Sequence, residues 1–408
     1  MKRSTLALAL GLCACNPNKT ALDANYHPTE RNWGSLQPVW RDEFDDPTIT
    51  SPDPKKWVIA EFCGGYNGEQ QCYTPQNAVV ANGYLTITAK PDSCSGSSIG
   101  QAEQNNEQGS VTCSGLPGPD YSSARLHTRV FTPPGPYAWK YGRVEIRAKL
   151  PYGQGTWPAF WMMPYPEKYG VWPGSGEIDI METANLRTVS VPKDFIQSNV
   201  HVCSKASNFW DSSPPANAVT NCIIYSNIHG DGPNTNSHHK ASSEKKLFPY
   251  DANGCPEDLV NRFHTYALEW NDFDLRFYID DQLVQQLPHV VINGFPFREP
   301  FYLIINLAVG GGMAQSINTG GWLGASTASP SAKLVLDWIR VYECVPDATA
   351  KKCIYDGQGL GRKPPAGIPV LICFPDHNEA TQRHPVRRRE RAALGSLTLS
   401  IGDRQSGY

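Results

Sequence analysis

A chain of 408 residues with 40% hydrophobic and 18% charged residues can bury one large core or two modest ones. Its net charge of −3 leaves no global basic footprint, so no nucleic-acid partner is expected. Glycine and proline are abundant, at 35 and 34 residues, which suits short strands joined by turns rather than long helices.

Met1-Lys2-Arg3, the apolar run from Leu6 to Leu12 and the small Ala14 read as a secretory signal over residues 1–15, so export is expected. Leu12-Cys13-Ala14-Cys15 also resembles a bacterial lipobox, which would put a lipid anchor on Cys15, although a cysteine at the second position departs from that pattern. Cleavage without a lipid is the alternative. No later apolar run approaches membrane-spanning length, so no integral membrane segment is expected. Residues 16–37 are polar and turn-rich, as in a linker. Ten cysteines follow Cys15, which fits an oxidising compartment. Close spacing suggests Cys63 with Cys72, Cys94 with Cys113, and Cys203 with Cys222, though spacing alone does not determine connectivity. Zinc is disfavoured, because there is no Cys-x-x-Cys and His238-His239 has no matching cysteine pair.

From Val39 onward come short alternating segments: Tyr84 to Ala89, Val144 to Leu150, Leu275 to Asp280, Phe301 to Leu307, and Leu334 to Tyr342. Strands of this length between turn signals argue for an all-β sandwich. The central stretch is Gly176-Glu177-Ile178-Asp179-Ile180-Met181-Glu182-Thr183. Its β-branched residues, with glycine and proline upstream, favour a strand in which Glu177 and Asp179 share one face. Glu182 lies five residues from Glu177, so unbroken alternation would send it to the opposite face. One extra residue near Met181, a β-bulge, returns it to the acidic face. Three clustered carboxylates repel one another and push one pKa up, which is what glycoside hydrolysis needs from an attacking carboxylate and a protonated partner. A solvated polar edge strand is the alternative.

Around this stretch Tyr141-Gly142-Arg143-Val144-Glu145-Ile146-Arg147, Gly155-Thr156-Trp157-Pro158-Ala159-Phe160-Trp161, Gly-Glu-Ile-Asp-Ile-Met-Glu, His264 to Trp270, Asn306-Leu307-Ala308-Val309-Gly310-Gly311 and Asp337-Trp338-Ile339-Arg340 follow one another. In composition and order these motifs resemble glycoside hydrolase family 16, and in particular its bulged, laminarinase-like endo-β-1,3-glucanase branch. The resemblance covers residues 38–343 and implies a catalytic domain over 38–345. The implied fold is a concanavalin-like jelly roll of two curved antiparallel sheets with a substrate cleft on the concave one. By motif position Glu177 is the nucleophile, Glu182 the general acid and later base, and Asp179 the residue that positions the nucleophile. Trp157, Trp161 and Trp172 offer apolar planes to sugar faces, with core packing as the alternative. His201 falls on the next strand beside the acids, Asn306 matches a cleft-lining position, and Arg125 is a third candidate for reaching the cleft.

The family's structural calcium corresponds to Glu43, Gly83 and Asp337, and no cofactor is implied for catalysis itself. The implied activity is retaining endo-hydrolysis of β-1,3-glucan by a monomer. Hydrolysis of a mixed-linkage glucan or a galactan, transglycosylation, and non-catalytic glucan binding remain alternatives. Residues 92–120 and 203–262 read as polar loop insertions at the cleft rim. Residues 346–408, with Arg387-Arg388-Arg389, read as a disordered basic tail.

Overall fold

Apolar residues on one face of each short strand have to meet a second layer, and they do so between two sheets. The computed structural model describes residues 37–116, 118, 120–186, 195–203, 222–230, 259–260, 262–288, 296–314 and 331–343. The expected signal (1–15), nearly all of the 16–37 linker, the 346–408 tail and most of the 203–262 insertion lie outside them.

The first sheet has eleven strands with Gly142–Lys149 and Ala332–Tyr342 paired at its centre. His264–Trp270, Asp274–Ile279 and Gln282–Pro288 extend one side. Tyr84–Asp92, Asp120–Ser123, Gln71–Tyr73 and Phe62–Cys63 extend the other, with Gln71–Tyr73 running parallel to Asp120–Ser123. The second sheet has seven strands in the order Cys222–Gly230, Phe195–Cys203, Glu177–Glu182, Thr156–Pro164, Phe301–Val309, Arg125–His127 and Val58–Ile59, all antiparallel. Two packed, predominantly antiparallel sheets form the jelly-roll-like sandwich expected from the sequence.

The period of two decides what faces where. In Phe301–Val309 the odd residues Leu303, Ile305 and Leu307 enter the core, and the even residues Asn306 and Ala308 line the other face. Phe160 and Met162 from the neighbouring strand join them, as do Ile146, Leu268 and Ile339 from the opposing sheet. Each such fully buried side chain contributes about 1.5–3 kcal/mol against exposure.

The 92–120 segment corrects the expectation of a plain loop. It folds into a hairpin, Cys94–Gly96 with Val111–Cys113, and a short helix, Ile99–Glu103. Ser98 and Gln101 form a capping box at the helix start. Ala102 and Ile99 pack with Ala60, Phe62 and Tyr73 as a small second core. Cys63–Cys72 and Cys94–Cys113 are disulfides, each joining residues directly opposed in register. Cys203 is likewise opposed to Cys222 along the strand pairing, but their side chains lie outside the described residues.

Candidate active site

The Glu177–Glu182 strand starts from Gly176, whose φ of +89° suits glycine and whose Cβ would meet Pro296 Cγ at 2.8 Å and Phe297 Cε1 at 2.9 Å. Phe160 then pairs with Met181 and Trp161 with Asp179, so Ile180 is the extra residue. Ile180 and Met181 are both buried in the core, and Glu182 therefore returns to the face of Glu177 and Asp179. The acidic face arises because the apolar side takes two consecutive residues.

Glu177, Asp179 and Glu182 line one cleft together with Trp157, Trp161, Asn306 and Arg125. Trp157 Nε1 donates to Glu182 Oε1 at 3.0 Å, and Trp172 Nε1 donates to Glu177 Oε2. Trp157, Trp161 and Trp172 all sit outside the core between the sheets, and Trp172 is half exposed. Trp161 Nε1 donates to Asn306 Oδ1 at 2.7 Å, and Asn306 Nδ2 donates to the Tyr73 hydroxyl at 3.1 Å. His201 stands opposite Glu177 in register, with its Nε2 3.1 Å from Asp179 Oδ2 and its ring 5.7 Å from that of Trp172. Arg125 reaches the cleft, but its Nε and one terminal nitrogen are held by Glu107 at 2.8 and 2.6 Å.

Two further partners of the acids are not among the candidates singled out from the sequence. Asn199 Nδ2 and Gln197 Nε2 donate to Glu182 Oε2 at 2.6 and 3.2 Å. A signal for them exists, because Gln197, Asn199 and His201 alternate along Phe195–Cys203 and so must share a face.

Burial separates the titrations of these groups. It pushes Glu182 up, assisted by the charge on Glu177 and opposed by the Trp157 and Gln197 hydrogen bonds. It pushes Asp179 well above the usual carboxylate range, with Glu177 and Glu182 adding repulsion and His201 opposing. Burial works against charge on His201, but the Asp179 carboxylate outweighs it and holds the imidazole up at about 9. His201 is thus raised above its ordinary 6.5, so its stabilising charge is fully present below pH 6.5 and is lost as pH rises through about 9. Urea midpoints are expected to fall over that window by the equivalent of about 1–3 kcal/mol, and His201→Gln should flatten the slope. An unchanged slope in that variant would show that His201 carries no such charge.

The three positions matched to calcium, Glu43, Gly83 and Asp337, lie apart from the residues that line this cleft. Glu43 accepts two hydrogen bonds from Arg340 at 2.9 Å each, and Asp337 is ion-paired with Arg147. Gly83 sits in the turn between Ala78–Ala81 and Tyr84–Asp92. Both carboxylates of the matched set are thus paired with arginines.

Known proteins share this outline. "Glycosyl hydrolases family 16" matches residues 224–340, and "XgeA-like, catalytic GH16 domain" matches residues 143–242. A β-glucanase of Rhodothermus marinus is 33% identical over 320 residues, spanning 75% of this chain and 85% of the relative. The chain belongs to glycoside hydrolase family 16. A glucan endo-1,3-β-glucosidase of Cryptopygus antarcticus is 29% identical, spanning 67% of this chain and 80% of that relative. The crystal structure of the laminarinase from Rhodothermus marinus superposes with a TM-score of 0.50 at 32% identity, covering 76% of this chain and 98% of that one. Within family 16 the extra residue at Ile180 sets this chain with the bulged, laminarinase-like members, and it is a glycoside hydrolase.

Proposed function

We propose that this glycoside hydrolase is exported and cleaves internal bonds of β-1,3-glucan by retaining double displacement. The observation that carries the reading is the bulge at Ile180, which returns Glu182 to the face of Glu177 with Asp179 between them. In this reading Glu177 attacks the anomeric carbon as Glu182 hands its proton to the departing oxygen. Water then resolves the glycosyl-enzyme, with Glu182 now taking a proton from it. Asp179, paired with His201, positions the nucleophile and moderates its charge. Trp157, Trp161 and Trp172 supply sugar-facing planes, and Asn306, His201 and Arg125 complete the binding surface.

The relatives named above are a β-glucanase, an endo-1,3-β-glucosidase and a laminarinase, which supports β-1,3-glucan over a galactan. The presence of both glutamates supports an enzyme over a binding protein. Export rests on the pattern of residues 1–15 and on the two disulfides. Among the described residues no helix is long and apolar enough to cross a membrane. Lipid attachment at Cys15 and a monomeric state belong to the same reading, and intact mass of the exported protein and light scattering test them.

Digestion of laminarin, lichenan, agarose and carrageenan in parallel tests the substrate. Laminarin is expected to release a ladder of β-1,3-linked oligosaccharides at the highest kcat/KM. Oligosaccharides released only from a galactan would overturn the substrate assignment.

A further inference from the structure

The folded 92–120 insertion meets the cleft at Ile99 and through the pair of Glu107 with the cleft-lining Arg125. Glu107 is buried and held through its backbone, its N–H donating to the Ala102 carbonyl at 2.9 Å and its own carbonyl accepting from the Glu61 N–H at 2.8 Å. Beside it, Asn106 clasps Arg129, accepting from the guanidinium at 2.8 Å and donating to the Arg129 carbonyl at 3.2 Å. With its backbone fixed in this way, the Glu107 carboxylate makes a bidentate pair with Arg125. The Arg125 guanidinium in turn lies 4.8 Å from the centroid of the Trp161 ring and 5.8 Å from that of Phe62. Tyr66, another residue lining the cleft, is 71% exposed.

We infer that residues 94–113 form a specificity module that fixes the Arg125–Trp161 stack through Glu107, building a subsite for a polysaccharide chain on the Arg125 side of the cleft. Trp161 is opposite Asp179 in register, and Arg125 lies two strands beyond Trp161, opposite Asn306. At about 4.8 Å between strands, the backbone of Arg125 is roughly 14 Å from that of Asp179 across the sheet, and its side chain reaches back to the Trp161 ring. Glu107 touches no substrate. It is a positioning residue, and its work is to remove in advance the side-chain freedom that Arg125 and Trp161 would otherwise lose on binding. His127, 3.9 Å from the same carboxylate, is fully buried and driven down to about 4 by burial, so it stays neutral and leaves the charge of Glu107 to the arginines.

The inference deepens the proposed activity and rests on the cleft being a polysaccharide site. Its test uses an oligosaccharide length series made from whichever polymer the wild-type protein cleaves best, so an error in the substrate assignment does not pass for an error here. Glu107→Gln keeps the size of the side chain and weakens the ion pair. For long oligosaccharides its KM is expected to rise about tenfold with kcat little changed, the mark of lost binding shared by ground and transition states. For the shortest substrate turned over, both constants should stay within about twofold of wild type. Glu107→Asp keeps the charge at a shorter reach and should recover part of the lost long-chain affinity. Equal losses at every length in both variants, or a fall in thermal midpoint with no change in KM, would overturn the module.

Discussion

Replacement of Glu177 by alanine is expected to lower kcat by about 10⁴- to 10⁶-fold on every substrate, whatever its leaving group. No glycosyl-enzyme can form without the attacking carboxylate, and an easier departure on the other side does not replace it. The surroundings of Glu177 agree with that task, because Trp172 orients one of its oxygens and the Asp179–His201 pair lies within reach of the carboxylate. Asp179→Asn should cost less, since it removes a neighbouring charge and leaves the attacking atom in place. The fold should not suffer in Glu177→Ala. The variant removes one of three like charges from a buried cluster, and its thermal midpoint is expected to equal or exceed that of wild type. Proton NMR of fresh product supplies an independent check, because double displacement requires the first-formed reducing end to be β. An α product would mean inversion and would defeat the assignment of Glu177 as nucleophile.

The acids and the strand that bears them were legible because their signal is local. Ile178 and Ile180 identify the apolar face, and the five-residue separation of Glu177 from Glu182 by itself requires a bulge if the two are to share a face. Directly opposed cysteines at short separation, as in Cys63 with Cys72, are legible for the same reason. The 92–120 insertion was not. Its polar composition reads as loop, yet the Ser98–Gln101 capping box, the Cys94–Cys113 staple and the Glu107–Arg125 pair give it order. The last of these joins residues 18 apart in sequence that no periodicity connects. Arg125 and Trp161 were each visible singly, while their stacking depends on the order of strands in the sheet. The arginine partners of Glu43 and Asp337 meet the same limit, because Arg340 and Arg147 lie far from them in sequence.

Glu182→Ala is expected to separate from Glu177→Ala on substrates that differ only in their leaving group. On polysaccharide the departing alcohol is a poor leaving group and needs a proton, so loss of the acid should lower kcat/KM by about 10²- to 10⁴-fold. On an aryl glycoside with an activated phenol the first step needs no proton, and the glycosyl-enzyme should form at close to the wild-type rate. It should then accumulate, because Glu182 is also the base for the water that resolves it, and a burst of phenol should precede slow turnover.

The pH profile carries the same assignment. Burial raises Glu182 above the ordinary carboxylate value, which keeps it protonated to higher pH than a solvated glutamate. Wild-type activity on polysaccharide should therefore fall as pH rises through the raised value, since only the protonated form can donate. That alkaline limb should vanish from glycosyl-enzyme formation in Glu182→Ala on the activated substrate, leaving an acid limb where the remaining carboxylates gain protons. A limb that persists unchanged in the variant would have to come from another group, with His201 the first to examine because it titrates near 9. Glu182 would then lose its place as the proton donor.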